Sequence, residues 1–194
     1  MPSDFSSHDL GVKLEQLDHK GRVFFALLCA ERHLPCLKDF MDRNGDSLDH
    51  RVTSSLDMAF DRLCGVDVDD GVFEQHIGEH LLHTPQIEED ATGAELQAVH
   101  AVNCIVYALE LLLHDEVFNA VSISQASLES VYLKILSLTG DANMESVQKH
   151  DLYKKEFLKQ SVDIETLKLN QEYTAGFIQE LREKNRTCMI QLAS

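Results

Sequence analysis

Ten histidines in a 194-residue chain invite a search for metal or acid–base chemistry, and two stretches stand out. The first is Phe73-Glu-Gln-His76-Ile-Gly-Glu79-His80-Leu-Leu-His83. It contains H-x-x-E-H, the pattern in which two histidines one helical turn apart hold zinc and the glutamate between them serves as general base. At about 100° per residue, His76, His80 and His83 fall within roughly a 60° arc, so three imidazoles share one helix face. The same positions equally describe a histidine-rich polar edge of an ordinary surface helix. Gly78 in mid-helix costs about 1 kcal/mol relative to alanine and makes a poor base for a rigid site. The polar edge is therefore the expectation, with a metal site at His76, Glu79, His80 and His83 as the alternative, and no cofactor is expected.

The second stretch is a stripe. His100, Asn103, Tyr107, Glu110 and His114 step by three and four residues and span about an 80° arc of one helix. Around the rest of that helix stand Val99, Val102, Cys104, Ile105, Val106, Leu109, Leu112 and Leu113. A helix apolar on three sides is buried on three sides, and its one polar strip must meet water, a partner or other polar groups. A solvent-facing strip, a small-molecule cleft and a subunit interface all fit. Glu31-Arg32, late in an apolar helix, reads as an internal charge pair or helix-end clasp with a structural role. Asp42-x-Asn44-x-Asp46 opens like a calcium loop, but Ser47 stands where glycine is required and Thr53 where glutamate is required, which excludes calcium. There is no phosphate-binding glycine loop, and no cysteine is marked as a thiolate nucleophile.

These residues need helices to carry them. Only three prolines and nine glycines punctuate the chain, and no run alternates apolar and polar like a half-buried strand. The expected architecture is an all-α, single-domain helical bundle over residues 1–194, with about seven to nine helices. Lys20–Leu34 reads as one helix, with Pro35 opening a short second one through Phe40. Ser47 or Asp46 caps the next, which Gly65 ends. A further helix runs from about Val72 to His83, and Gln86–Gly93 reads as loop. Gln97–Leu113 is the apolar central helix. Val117–Leu138 is one helix or two, with a weak spot at Ser122–Ser124. A nearly unbroken helical pattern then runs from Met144 to Lys184, where Phe157, Ile164, Gln171 and Ile178 recur every seven residues. Residues 185–194 read as an irregular tail.

Three of these places resemble a known family when taken in order. They are Phe25-Ala-Leu-Leu-Cys-Ala-Glu31-Arg32-His-Leu-Pro35 closing at Phe40, the run from Ala98 to Glu110 followed by Ser122–Leu133, and Phe177-Ile-Gln-Glu-Leu-Arg182-Glu. Together they resemble the YjaG-like family of bacterial proteins, domain-of-unknown-function family 416. One departure is Ala30, which stands where the motif has cysteine, with Cys29 one place earlier. The resemblance implies an all-helical cytoplasmic protein and no particular activity.

Charge narrows the partners. Seventeen Lys and Arg against 33 Asp and Glu give a net charge of −16, which opposes binding to nucleic acid or to anionic membrane surfaces. Five cysteines without a C-x-x-C pair fit a reducing compartment. The first residues lack the basic and apolar regions of a signal peptide, so a cytoplasmic location is expected. In function, a non-enzymatic protein acting by association, as a homodimer or with another protein, comes first. A small-molecule binder using the His100–His114 strip comes second, and metal chemistry at His76–His83 third.

Overall fold

The computed structural model describes residues 7–45, 50–82, 84–85, 91–170 and 172–190. Every regular element among them is helical: α1 (Ser7–Glu15), α2 (His19–Arg43), α3 (His50–Leu63), α4 (Asp70–Leu82), α5 (Gly93–Leu113), α6 (Val117–Thr139), α7 (Met144–Lys149), α8 (Asp151–Leu169) and α9 (Ala175–Arg186). The protein is an all-α, single-domain bundle. At its centre α5 packs against α2 and α6, and α4, α8, α9 and the shorter helices close around that trio. Among the described residues α5 alone has the length and apolarity of a membrane span. Most of that span lies inside the bundle, as expected for a helix apolar on three sides.

Local chemistry sets most boundaries. Asp18 caps α2 by accepting from the Gly21 N–H at 2.7 Å. Gly65 and Gly140 follow α3 and α6 with φ of +92° and +68°, the left-handed exit that glycine allows at little cost. The calcium-like opening at Asp42 runs out of the end of α2, Thr53 falls inside α3, and the expected caps Asp46 and Ser47 lie outside the described residues.

Four points of the fold either depart from the sequence expectation or decide between its alternatives. The central helix begins four residues earlier, because Thr92 and Glu95 form a reciprocal capping box that satisfies two otherwise orphaned backbone donors. Helix α6 is continuous, since Ser124 and Ser127 turn inward and find buried partners in Gln160 and His33. The helical pattern from 144 to 184 is divided into α7, α8 and α9. His150 ends one helix and caps the next through its ring, accepting from Leu152 N–H at 3.2 Å, and Thr174 starts α9 by accepting from Phe177 N–H at 3.3 Å.

The fourth point is Pro35, which lies inside α2 rather than between two helices. Proline removes one backbone donor and crowds the turn before it. A segment from the other end of the chain attends that turn. Ile190 N–H donates to the Arg32 carbonyl at 3.0 Å, and the Cys36 thiol donates to the Ile190 carbonyl at 3.2 Å. Residues 187–190 thus lie along α2 after the last helix, with Ile190 buried.

Candidate functional site

Glu31 and Arg32 are both buried, at 3% and 0% exposure, but they do not pair with each other. Adjacent helix residues point about 100° apart, so each meets a different neighbour. The Arg32 guanidinium donates to Glu156 at 2.8 Å, Asp163 at 3.1 Å and Asn185 at 2.8 Å, joining α2 to α8 and α9. Lys159 holds the other Asp163 oxygen at 2.5 Å. Gln160 donates to Glu156 at 2.9 Å and accepts from Ser124 at 2.6 Å, carrying the network to α6. Glu31 accepts from Arg182 at 2.9 Å and from Asn185 at 3.0 Å. Arg182 reaches on to Asp57 at 2.6 Å, and its guanidinium lies 4.1 Å from the centre of the Phe60 ring.

Every carboxylate in this cluster already holds a cation. Cys29, 3.2 Å from Arg32, is not poised as a nucleophile either. Burial pushes its thiol up to about 12 even though Arg32 pulls the other way. A paired, buried network of this kind is a clamp between helices. Beside it lies a polar cleft of about 330 Å³ between α3 and α9, where Asp61 and Glu183 face Arg182 and Arg186 and Cys64 is exposed. Cys29, Cys36 and Cys104 are buried free thiols. Cys64 is exposed in the turn after α3.

In the H-x-x-E-H segment, His76 and His80 do converge. His76 Nδ1 lies 2.5 Å and His80 Nε2 2.9 Å from the hydroxyl of Ser55, a buried residue of α3. Glu79 turns along the other flank, accepting from Gln75 at 2.9 Å, and so does not face the point where the imidazoles meet. His83 lies outside the described residues. Among the described residues no three His, Cys, Asp or Glu side chains are grouped as metal ligands. What the geometry shows is a serine hydroxyl joining two histidines of α4 to α3.

The central stripe is split by its neighbours. His100 turns toward α6, where its Nε2 lies 3.6 Å from Glu129, and it enters an open groove of about 360 Å³. Leu96 and His100 of α5, Leu128, Glu129 and Tyr132 of α6, and Tyr153 of α8 form most of its wall. Burial pushes the His100 imidazole below its ordinary value, with Glu129 opposing. Asn103, Tyr107 and Glu110 are half-buried and His114 is exposed at the end of α5. None of these four lines this groove or the cleft between α3 and α9. Burial raises the Glu110 carboxyl, helped by Glu116 and opposed by His114. Apart from Leu96, the groove residues beyond His100 went unread in the sequence because they come from α6, α7 and α8, and no local spacing links them.

The deciding comparison is with a protein family. The pattern of the family described as "Protein of unknown function (DUF416)" matches residues 10–191. The chain belongs to the DUF416 family. The resemblance read from Phe25–Phe40, the central helix and Phe177–Glu183 is to this same family, whose description assigns no activity. A DUF416 family protein from Shewanella baltica OS155, known from its crystal structure, is similar with a TM-score of 0.82 and 18% identity over 93% of this chain and 95% of that one. At that identity the likeness speaks for the fold alone, and it means the DUF416 bundle persists while most side chains change. No curated protein matches the chain.

Proposed function

We propose that this chain is a non-enzymatic DUF416 protein that works by association, and that the outer line of α8 receives a second copy of itself. The observation that carries the reading is that α8 has apolar side chains on its outer line as well as on its inner face. Its inner face holds Glu156, Gln160 and Asp163 beside Tyr153, Phe157, Ile164 and Leu167, all buried. Its outer line is Asp151, Lys155, Leu158, Val162, Glu165 and Leu169, all exposed. These six step by four and three residues within about an 80° arc. Leu158, Val162 and Leu169 are 53%, 58% and 82% exposed, an unusual place for apolar side chains on so acidic a protein.

The order of residues along that line is self-complementary, which a two-fold interface requires. Set two α8 helices antiparallel about a two-fold axis that crosses the outer line midway between Leu158 and Val162. Lys155 of one copy then faces Glu165 of the other, and Leu158 faces Val162, each contact occurring twice. The antiparallel arrangement also opposes the helix dipoles favourably. Glu165 is held by Lys13 at 3.4 Å and stays half-exposed, so it can take a second cation. Helix α1 flanks the line through that pair and through Lys168 to Gln16 at 2.6 Å, adding the exposed Val12. One helix pair and its flanks make a small interface, so the dimer is reversible.

A cytoplasmic setting and a single domain over residues 1–194 belong to the same reading, supported by three buried free thiols. The net charge of −16 supports a partner that is neither nucleic acid nor membrane. Sedimentation equilibrium over a range of concentrations tests the reading. Lys155→Glu and Glu165→Lys should each weaken self-association about tenfold, and the charge-swapped double variant should restore it. A wild-type chain that stays monomeric at every concentration, or a double variant no better than the singles, overturns it.

A further inference from the structure

The groove beside His100 is independent of the α8 surface and has a different character. It is closed below by Leu128 and Tyr153, which are 4% and 6% exposed, and its rim carries the half-exposed Met144. Of the side chains lining it, only Glu129 bears a fixed charge. We infer that this groove binds a small hydrophobic ammonium compound, with the apolar body against Leu128, Leu133 and the tyrosines and the ammonium group at Glu129.

Each feature of the groove selects against the other ligand classes. At about 360 Å³ it lies within the usual range for a small-molecule site. An anionic ligand would meet the Glu129 carboxylate inside a molecule of net charge −16. A neutral apolar ligand would cover the inner side of that carboxylate and give it no partner, which costs free energy. An ammonium group supplies the partner. Placed between Glu129 and His100 Nε2, which stand 3.6 Å apart, it can donate to both. The imidazole is kept from competing as a cation because burial disfavours its charged form. Tyr132 and Tyr153 add aromatic surface, which attracts cations through the ring quadrupole. The overall negative field raises the local concentration of any cation approaching the mouth.

The test uses three molecules of nearly one shape: 2-phenylethylamine, 2-phenylethanol and phenylacetate. Titration calorimetry and amide chemical shifts on the full chain would report binding to each. The amine should bind at least about tenfold more tightly than the alcohol or the acid, a difference that one charge pair partly covered by the bound ligand supplies. Its shifts should centre on His100, Glu129 and Tyr132. Glu129 is 61% exposed, so Glu129→Gln should fold normally, and it should remove the preference for the amine. Glu129→Gln lies off the α8 outer line and should leave sedimentation unchanged, which separates this inference from the association reading. Equal binding of all three molecules, preference for the acid, no amine binding, or amine binding unaffected by Glu129→Gln would each overturn it.

Discussion

Two polar clusters flank the central helices, and they are built on opposite plans. Around Arg32 three cations (Arg32, Lys159, Arg182) meet four carboxylates (Glu31, Glu156, Asp163, Asp57), every charge within 3.1 Å of an opposite one. Around His100 a single carboxylate stands 3.6 Å from an imidazole, with apolar walls and empty space beside it. The carboxylates of the first cluster already hold cations, and removing Arg32 strands Glu156 and Asp163 in the interior. The second has capacity to spare, and little depends on it for folding. Burial of charge alone does not separate structural from binding polarity; the degree to which each group is already satisfied does.

The largest effect that would break this contrast is at Arg32. Arg32→Met should cost about 3–5 kcal/mol, because Glu156 and Asp163 would be left buried with one cation between them. Urea denaturation measures it. A loss below about 1 kcal/mol would mean that water reaches the cluster and that it resembles the groove more than a clamp. Asn185→Ala removes donors to Glu31 and to the Leu28 carbonyl and should cost about 1–3 kcal/mol by the same assay.

A third prediction concerns His33, fully buried between the two clusters with Nε2 2.9 Å from the Ser127 hydroxyl. Burial, with Arg32 and His100 adding to it, pushes its imidazole down from 6.5 to about 3. The unfolded chain then takes up a proton below pH 6.5 that the folded chain refuses until about pH 3. Stability present above pH 6.5 is therefore lost progressively between those limits. His33→Gln should flatten that part of the stability–pH curve even if it lowers the whole. The smallest effect should be at Glu129. Glu129→Gln is expected to change stability by less than about 0.5 kcal/mol, and a larger loss would place Glu129 with the clamp.

How much of this could be read from the chain follows the same division. Phe157, Ile164 and Ile178, chosen by their seven-residue recurrence, are buried as expected, because that pattern needs only local periodicity. The capping box at Thr92 and Glu95 was equally local. Its residues were visible, but the polar run before them reads as loop. The partners of Arg32 were not legible, because they lie 124 to 153 residues away and periodicity carries no such information. Helix α8 shows the difficulty most plainly. A rule that turns apolar side chains inward holds for Phe157 and Ile164, but it also places Leu158 and Val162 in the core and Glu156 and Asp163 outside, where the structure has the reverse. His76 and His80 were rightly placed on one face, yet nothing in their spacing foretold that Ser55 of another helix would stand between them.

The contact between Ile190 and the turn at Pro35 has a consequence for how the molecule is made. A chain leaves the ribosome from its N-terminus, so α2 emerges while most of what completes it is still unsynthesised. Arg32 must wait for Glu156, Asp163 and Asn185, and its own carbonyl waits for Ile190, so the contacts that finish this early helix are among the last to arrive. Contacts so distant in sequence form late and slowly. Until they do, the Arg32 guanidinium lacks its carboxylate partners and α2 leaves an apolar surface uncovered, of the kind chaperones bind. The fold is a loop closed in time as well as in space.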